Sequence, residues 1–243
     1  AISSEYVDFV VRKEGEAVLL ELAEAITTNQ KLIKFEDIDG LVFKREGKII
    51  SNKLRKPISD LDILPIPKRE LIGMDKYNVL VCISTSRGCP GKCIYCSATA
   101  LSGATYRTRY VDNVFLEIVM LNALLKKDPL NVYIVDDTFT AFPERVIKFV
   151  ELIKYYNPNI KWQCESRVDV MNEELIDQMA SAKCVAIQYG IESGSQKVLD
   201  SINKGIDLEH AKKIIDYSYK KNIIPVLSFM LGHYCDTKET MQE

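Results

Sequence analysis

From Asn78 onward short apolar runs alternate with longer amphipathic ones, and this alternation constrains the fold more than any other feature of the sequence. Strand candidates are Val79–Ser84, Val132–Val135, Ile160–Cys164, Val185–Tyr189 and Ile224–Met230. Helix candidates lie between them at Asn113–Lys126, Glu144–Tyr156, Glu173–Ala182 and Leu208–Lys221. Strands joined through helices become parallel neighbours, so the repeat predicts a parallel sheet, either doubly wound or closing toward a barrel. The runs read as apolar on both faces, as in strands covered on both sides. Five units are visible, fewer than an eight-stranded barrel needs.

Residues 1–56 read as a different unit. Tyr6–Val11 is a strand candidate, Glu16–Ile26 has helical apolar spacing, and Leu41–Lys44 and Lys48–Ile50 flank a Glu46-Gly47 turn. Pro57, Pro65 and Pro67 then mark a linker over residues 57–77, because proline lacks an amide donor and restricts its neighbour. The chain opens close to a strand and closes in what reads as the first turn of a helix, so a piece of a longer protein is expected. Charge nearly cancels, with 32 Lys+Arg against 34 Asp+Glu, which argues against non-specific nucleic-acid binding. An apolar share of 47% is that of a soluble globular chain, and no apolar run is long enough to span a membrane.

Three of the seven cysteines fall within eight positions, in S-R-G-C-P-G-K-C-I-Y-C-S (Ser86–Ser97), directly after the first strand of the repeat. An odd count with such clustering points to a metal site in a reducing, cytoplasmic compartment rather than to disulfides. Cys89, Cys93 and Cys96, spaced x3 and x2, can hold three corners of an iron–sulfur cube, leaving one iron open to an outside ligand. A structural zinc site usually has four protein ligands, commonly in paired Cys-x2-Cys form. Cys82, Cys164 and Cys184 lie in or beside apolar strands and read as core packing. Cys235 lies past the fifth strand, beside the proposed site, where packing is the simpler role.

C-P-G-K-C-I-Y-C-S resembles the signature of the radical S-adenosylmethionine (SAM) superfamily. Y-I-V-D-D-T-F-T (133–140), W-Q-C-E-S-R-V-D (162–169), Y-G-I-E-S-G-S (189–195), S-I-N-K-G-I (201–206) and S-F-M-L-G-H-Y (228–234) resemble its later segments in order. The combination is most similar to the cobalamin-dependent subgroup. Residues 6–26 and D-L-D-I-L-P-I-P resemble the tail of that subgroup's cobalamin domain and its linker, although Arg12-Lys13-Glu14 stands where a glutamate-rich run is usual. The fold this implies is α/β: a partial (β/α)6 barrel over residues 78–243, preceded by the tail of a Rossmann-like cobalamin-type domain in residues 1–56.

Independently of the resemblance, functional groups of parallel β/α folds collect at the carboxyl ends of the strands. Here those ends carry the cysteines, Asp136-Asp137, Glu165 with Arg167, Glu192 with Ser193, and Gly232-His233. The resemblance implies a [4Fe-4S] cluster on Cys89, Cys93 and Cys96, with SAM chelating the open iron. By motif position it places Lys204 on the SAM carboxylate, Glu192 and Ser228 on the ribose, Glu165 on the amino group and the Tyr95 backbone on adenine. Arg167 and Ser193 are counted as further cofactor-binding candidates. It also implies a flavodoxin- or ferredoxin-type electron donor, cobalamin as a further cofactor, and methylation of an unactivated carbon in a small-molecule or peptide substrate.

Plainer readings stand beside these. Lys204 equally reads as an exposed helix-end lysine. Asp136 and Asp137 read as caps of the following helix as readily as site residues. Arg167 reads as a partner of Asp169 or Glu165. For the whole chain the alternatives are a radical SAM cyclase, oxidase or methylthiotransferase-like enzyme, an iron–sulfur electron carrier, and a zinc-binding module. The sequence assigns no catalytic residue and names no substrate.

Overall fold

The computed structural model describes residues 1–27, 33–73, 81–102 and 105–243. Its contacts divide the chain into two units: Ala1–Ser59 with Ala100–Gly103, and Asp60–Thr99 with Ala104–Glu243. In the first, β1 (Phe9–Val11), β2 (Leu41–Arg45) and β3 (Lys48–Ser51) form an antiparallel sheet in that order. Glu46 and Gly47 both adopt positive φ, the conformation that joins a two-residue hairpin with the correct twist. Helix α1 (Glu16–Thr27) contributes Val18 and Leu22 to a small core with Ile38, Leu41 and Phe43. Phe35 sits between the rings of Phe9 and Phe43, at 5.2 and 5.6 Å.

The larger unit is built on five parallel strands, β4 (Val81–Ile83), β7 (Leu130–Ile134), β8 (Ile160–Ser166), β9 (Cys184–Glu192) and β10 (Ile224–Phe229), adjacent in that order. A short antiparallel ribbon, β5 (Ser86–Arg87) with β6 (Arg107–Thr108), lies between β4 and β7 in sequence. Between them also run α2 (Ala98–Ser102), ahead of β6, and α3 (Val111–Leu125). The later helices are α4 (Pro143–Tyr156), α5 (Glu173–Ser181), α6 (Gln196–Ser201) and α7 (Leu208–Lys220). A strand order that follows chain order, with right-handed crossovers, keeps the helices on one face. This is the arrangement of a barrel wall and excludes the doubly wound option. Val79 and Leu80, expected at the start of the first strand, lie outside the described residues, as do residues 74–77 of the expected linker.

The expectation of strands apolar on both faces is corrected. Alternate residues Leu130, Val132, Ile134, Ile160, Trp162 and Cys164 are buried toward the helices. The intervening Asn131, Tyr133, Lys161, Gln163 and Glu165 are half-buried or exposed. Five strands leave the wall open, so its inner face stays wet and takes polar residues, as a period of two demands. Cys82 belongs to this inner set and is exposed, which corrects its assignment to the core; Cys164 and Cys184 are buried as expected.

The outer face is held by large side chains and one internal charge. Phe139, Phe149 and Trp162 meet edge to face at 5.3–5.8 Å. On α3, Glu117 is 1% exposed and accepts from Arg69 at 2.7 Å and Arg109 at 2.6 Å. The same guanidiniums donate to the carbonyls of Cys82 and Ser84, so the buried carboxylate fixes where β4 ends.

Candidate functional site

The three cysteines lie on the loop that leaves β4, and β7 holds its start. Asp136, just past β7 and 1% exposed, accepts from the Thr85 amide at 2.6 Å, the Ser86 amide at 3.0 Å and the Thr85 hydroxyl. Burial raises its carboxyl above the usual range, and hydrogen bonds from Thr85 and Ser86 with the charge of Arg145 oppose that shift. Asp137 accepts from the Gly88 amide at 3.1 Å, and the Thr138 hydroxyl lies 3.3 Å from Cys89 Sγ. Gly88 has φ +87°, a turn that other residues adopt only with strain. Neither aspartate caps α4, whose N-cap is Phe142 without a side-chain bond; the capping reading is overturned. Asp136→Ala orphans two buried amides and should lower stability by about 2–4 kcal/mol, read as a shifted denaturation midpoint.

The loop's far side is tied to α6 by Ile94 N–H to Ile202 O at 3.1 Å and by Asn203 Nδ2 to Lys92 O at 2.9 Å. Each sulfur then accepts one N–H: Cys89 from Gly91 at 3.3 Å, Cys96 from Ala98 at 3.4 Å, and Cys93 from Arg167 Nη1 at 3.2 Å. Donors aimed at sulfur favour thiolates and are the usual environment of cluster-bound cysteines. The thiols share one cavity of about 250 Å³ with Tyr95, Glu165, Arg167, Glu192, Lys204 and Ser228. Among the described residues no three Cys, His, Asp or Glu side chains converge closely enough to hold a single ion. Three thiols lining one cavity, each with a donor, are the ligand set that an iron–sulfur group takes.

The same cavity wall carries a buried ion pair. Glu192 closes β9 with φ +74°, where the register with β10 shifts between Ser228 and Phe229. This irregularity re-aims the side chain, and a strained non-glycine residue at a strand end is a frequent mark of a site. Its Oε1 lies 2.9 Å from Lys204 Nζ, which also reaches the Tyr95 hydroxyl at 3.2 Å. A Cβ on Gly190 would stand 2.6 Å from Glu192 Oε1 and 3.1 Å from Lys204 Nζ, so a larger residue there would displace the pair. Burial, with the Glu192 carboxylate and Cys93 nearby, pushes the Tyr95 hydroxyl well above its ordinary pKa and keeps it protonated. Lys204 is 6% exposed, which overturns its reading as an exposed lysine.

A second chain of polar groups crosses the inner face of four strands. The Tyr133 hydroxyl donates to Glu165 at 2.5 Å, and Gln188 Nε2 donates to the Ser228 hydroxyl at 3.3 Å. Arg167 pairs with Asp169 at 3.0 Å rather than with Glu165. Ser193 is not part of the cavity wall: it is buried and its hydroxyl accepts the Ser195 amide at 3.1 Å. His233 contacts the Tyr95 ring at 5.4 Å without lining the cavity. Asp137, offered by the sequence as cap or site residue, lines the cavity, whereas Thr138, Gln188 and Gly190 were missed as wall residues. The signal for Gln188 and Gly190 was the period of two along β9, which puts them four and two positions before Glu192.

The sequence profile described as the Radical SAM superfamily matches residues 83–243. An uncharacterized methyltransferase of Pyrococcus horikoshii is 32% identical over 240 residues, 97% of this chain and 51% of that protein. An anaerobic magnesium-protoporphyrin IX monomethyl ester cyclase of Rubrivivax gelatinosus is 28% identical over 98% of this chain and 44% of its own length. The chain thus spans about half the length of these curated relatives. Among solved structures, the cobalamin-dependent SAM radical enzyme OxsB superposes with TM-score 0.82 at 20% identity, over 96% of this chain and 35% of its own. The radical SAM methyltransferase TsrM from Kitasatospora setae gives 0.76 at 19% identity, over 96% of this chain and 47% of its own.

Proposed function

The chain belongs to the radical SAM superfamily, and from that premise we propose that it binds a [4Fe-4S] cluster on Cys89, Cys93 and Cys96, with SAM beside it. The observation that carries this reading is one cavity holding three donor-supported thiols and a buried Glu192–Lys204 pair at the carboxyl ends of parallel strands. The chemistry such a cluster supplies is one-electron reduction of the SAM sulfonium, which breaks a carbon–sulfur bond and gives methionine and a 5′-deoxyadenosyl radical. The electron comes from a flavodoxin- or ferredoxin-type donor.

The protein's part is binding and orientation. Lys204 offers a cation for the SAM carboxylate, and Glu192 and Ser228 offer acceptors for the ribose hydroxyls. Glu165, held by Tyr133, accepts from the amino group. The Tyr95 backbone meets adenine. Without ligand, Glu192 and Lys204 neutralise each other, so binding exchanges their mutual contact for contacts to SAM. Residues 1–56 are the carboxyl-terminal part of a cobalamin-binding-like domain, 57–77 its linker and 78–243 the radical SAM core. Cobalamin-dependent methylation of carbon is the overall reaction this reading favours; a relative and a structural neighbour named as methyltransferases and a neighbour named as cobalamin-dependent support it. Cyclisation is the second reading, supported by relatives named as cyclases.

Calorimetric titration of SAM into the anaerobically reconstituted protein tests the binding proposal. Glu192→Ala and Lys204→Ala should each weaken binding by about 1–3 kcal/mol, the usual cost of losing a hydrogen bond to a charged group. Unchanged affinity in both variants would contradict the placement of SAM.

A further inference from the structure

We infer that Arg167 is a positioning residue for the iron–sulfur group, which raises the group's reduction potential through Cys93 rather than serving as a ligand of SAM. This rests on the cluster reading above and adds to it a residue that sets the electron's energy.

The guanidinium makes four hydrogen bonds through its three nitrogens. Nη1 donates to Cys93 Sγ at 3.2 Å, while Nη2 donates to Lys204 O and to Asp169 Oδ2 at 3.0 Å. The Arg167 side chain is 12% exposed, so its charge is poorly screened. Three segments meet at this one fork: the cysteine loop, the end of β8 and the loop after α6. The cysteine loop makes room for it at Gly91, where a Cβ would lie 3.0 Å from Nη1 and 3.3 Å from Cys89 Sγ. Every nitrogen of the fork donates to an acceptor of the protein itself.

An electron added at the cysteines increases the negative charge there. A cation hydrogen-bonded to one thiolate stabilises that reduced form, and hydrogen bonds to sulfur and local charge are the protein's main controls over such potentials. Asp169, on the far side of the guanidinium, opposes the effect with its own charge. The pair therefore acts as a fixed dipole with its positive end on Cys93 Sγ.

The test is a redox titration of the anaerobically reconstituted full chain, followed by electron paramagnetic resonance without SAM. Arg167→Met keeps the aliphatic volume and should shift the midpoint to more negative potential; Arg167→Lys should fall between it and wild type. Asp169→Asn should shift the midpoint the opposite way. Opposite signs in neighbouring variants are not what general loosening of the site produces. If Arg167→Met loses the cluster, Asp169→Asn still decides. A wild-type cluster whose midpoint is unmoved by the substitutions, or moves the same way in both, overturns the role of Arg167 alone. A wild-type chain that takes up no cluster overturns the cluster reading with it.

Discussion

Replacing any one of Cys89, Cys93 and Cys96 by alanine should reduce iron and sulfide incorporation on anaerobic reconstitution to a small fraction of the wild-type level. On the proposed reading each thiol holds one corner, and none of the other four cysteines lines the cavity. Cys164 and Cys184 are buried on the helix side of the sheet, and Cys82 lies on the inner face outside the cavity wall. Loss of one thiolate opens a second iron to solvent and weakens the whole assembly. The donors that supported the lost sulfur, such as the Gly91 amide at Cys89, are then left without their acceptor. Cys82→Ser should retain full iron content. Iron and sulfide assays per chain decide the matter; a full four-iron complement in Cys93→Ala would defeat the three-ligand assignment.

The largest loss of stability is expected at Trp162. Its side chain is fully buried, packs edge to face on Phe139 and Phe149, and donates from Nε1 to Ala182 O at 2.6 Å. Trp162→Ala should cost about 3–5 kcal/mol, from lost burial plus the cavity left behind. That is a large share of the roughly 5–15 kcal/mol by which ordinary domains are stable. Trp162→Phe keeps most of the packing and should cost much less. Urea denaturation followed by far-ultraviolet circular dichroism measures both, because both variants lack the chain's single tryptophan. Equal losses in the two variants would show that ring packing is not what holds β8 against α4.

Much of this was legible in the sequence because the core is local in pattern. The helices α3, α4, α5 and α7 and the five parallel strands follow directly from apolar spacing. The x3, x2 spacing of three cysteines on one loop carried the family resemblance. What escaped was set by long-range geometry. The inner face of β7 and β8 reads as strand, but only the open wall determines that Tyr133 and Glu165 stay partly wet. Asp136 and Asp137 sit where a cap is expected, and the loop after β4, fifty residues earlier, claims them instead. Lys204 follows the short α6, which carries too few apolar positions to be read, and its burial against Glu192 depends on Gly190 two strand positions away. Ser193 has the right neighbours in sequence and the wrong direction in space.

In the proposed site three protein thiolates leave one iron for SAM. The direct measurement is the electron paramagnetic resonance spectrum of the reduced, reconstituted protein with and without saturating SAM, in wild type and Glu192→Ala. A four-iron signal whose g-values shift on adding SAM, with a higher SAM concentration needed in the variant, is the result this account predicts. A four-iron signal that saturating SAM leaves unchanged in the wild type would contradict it.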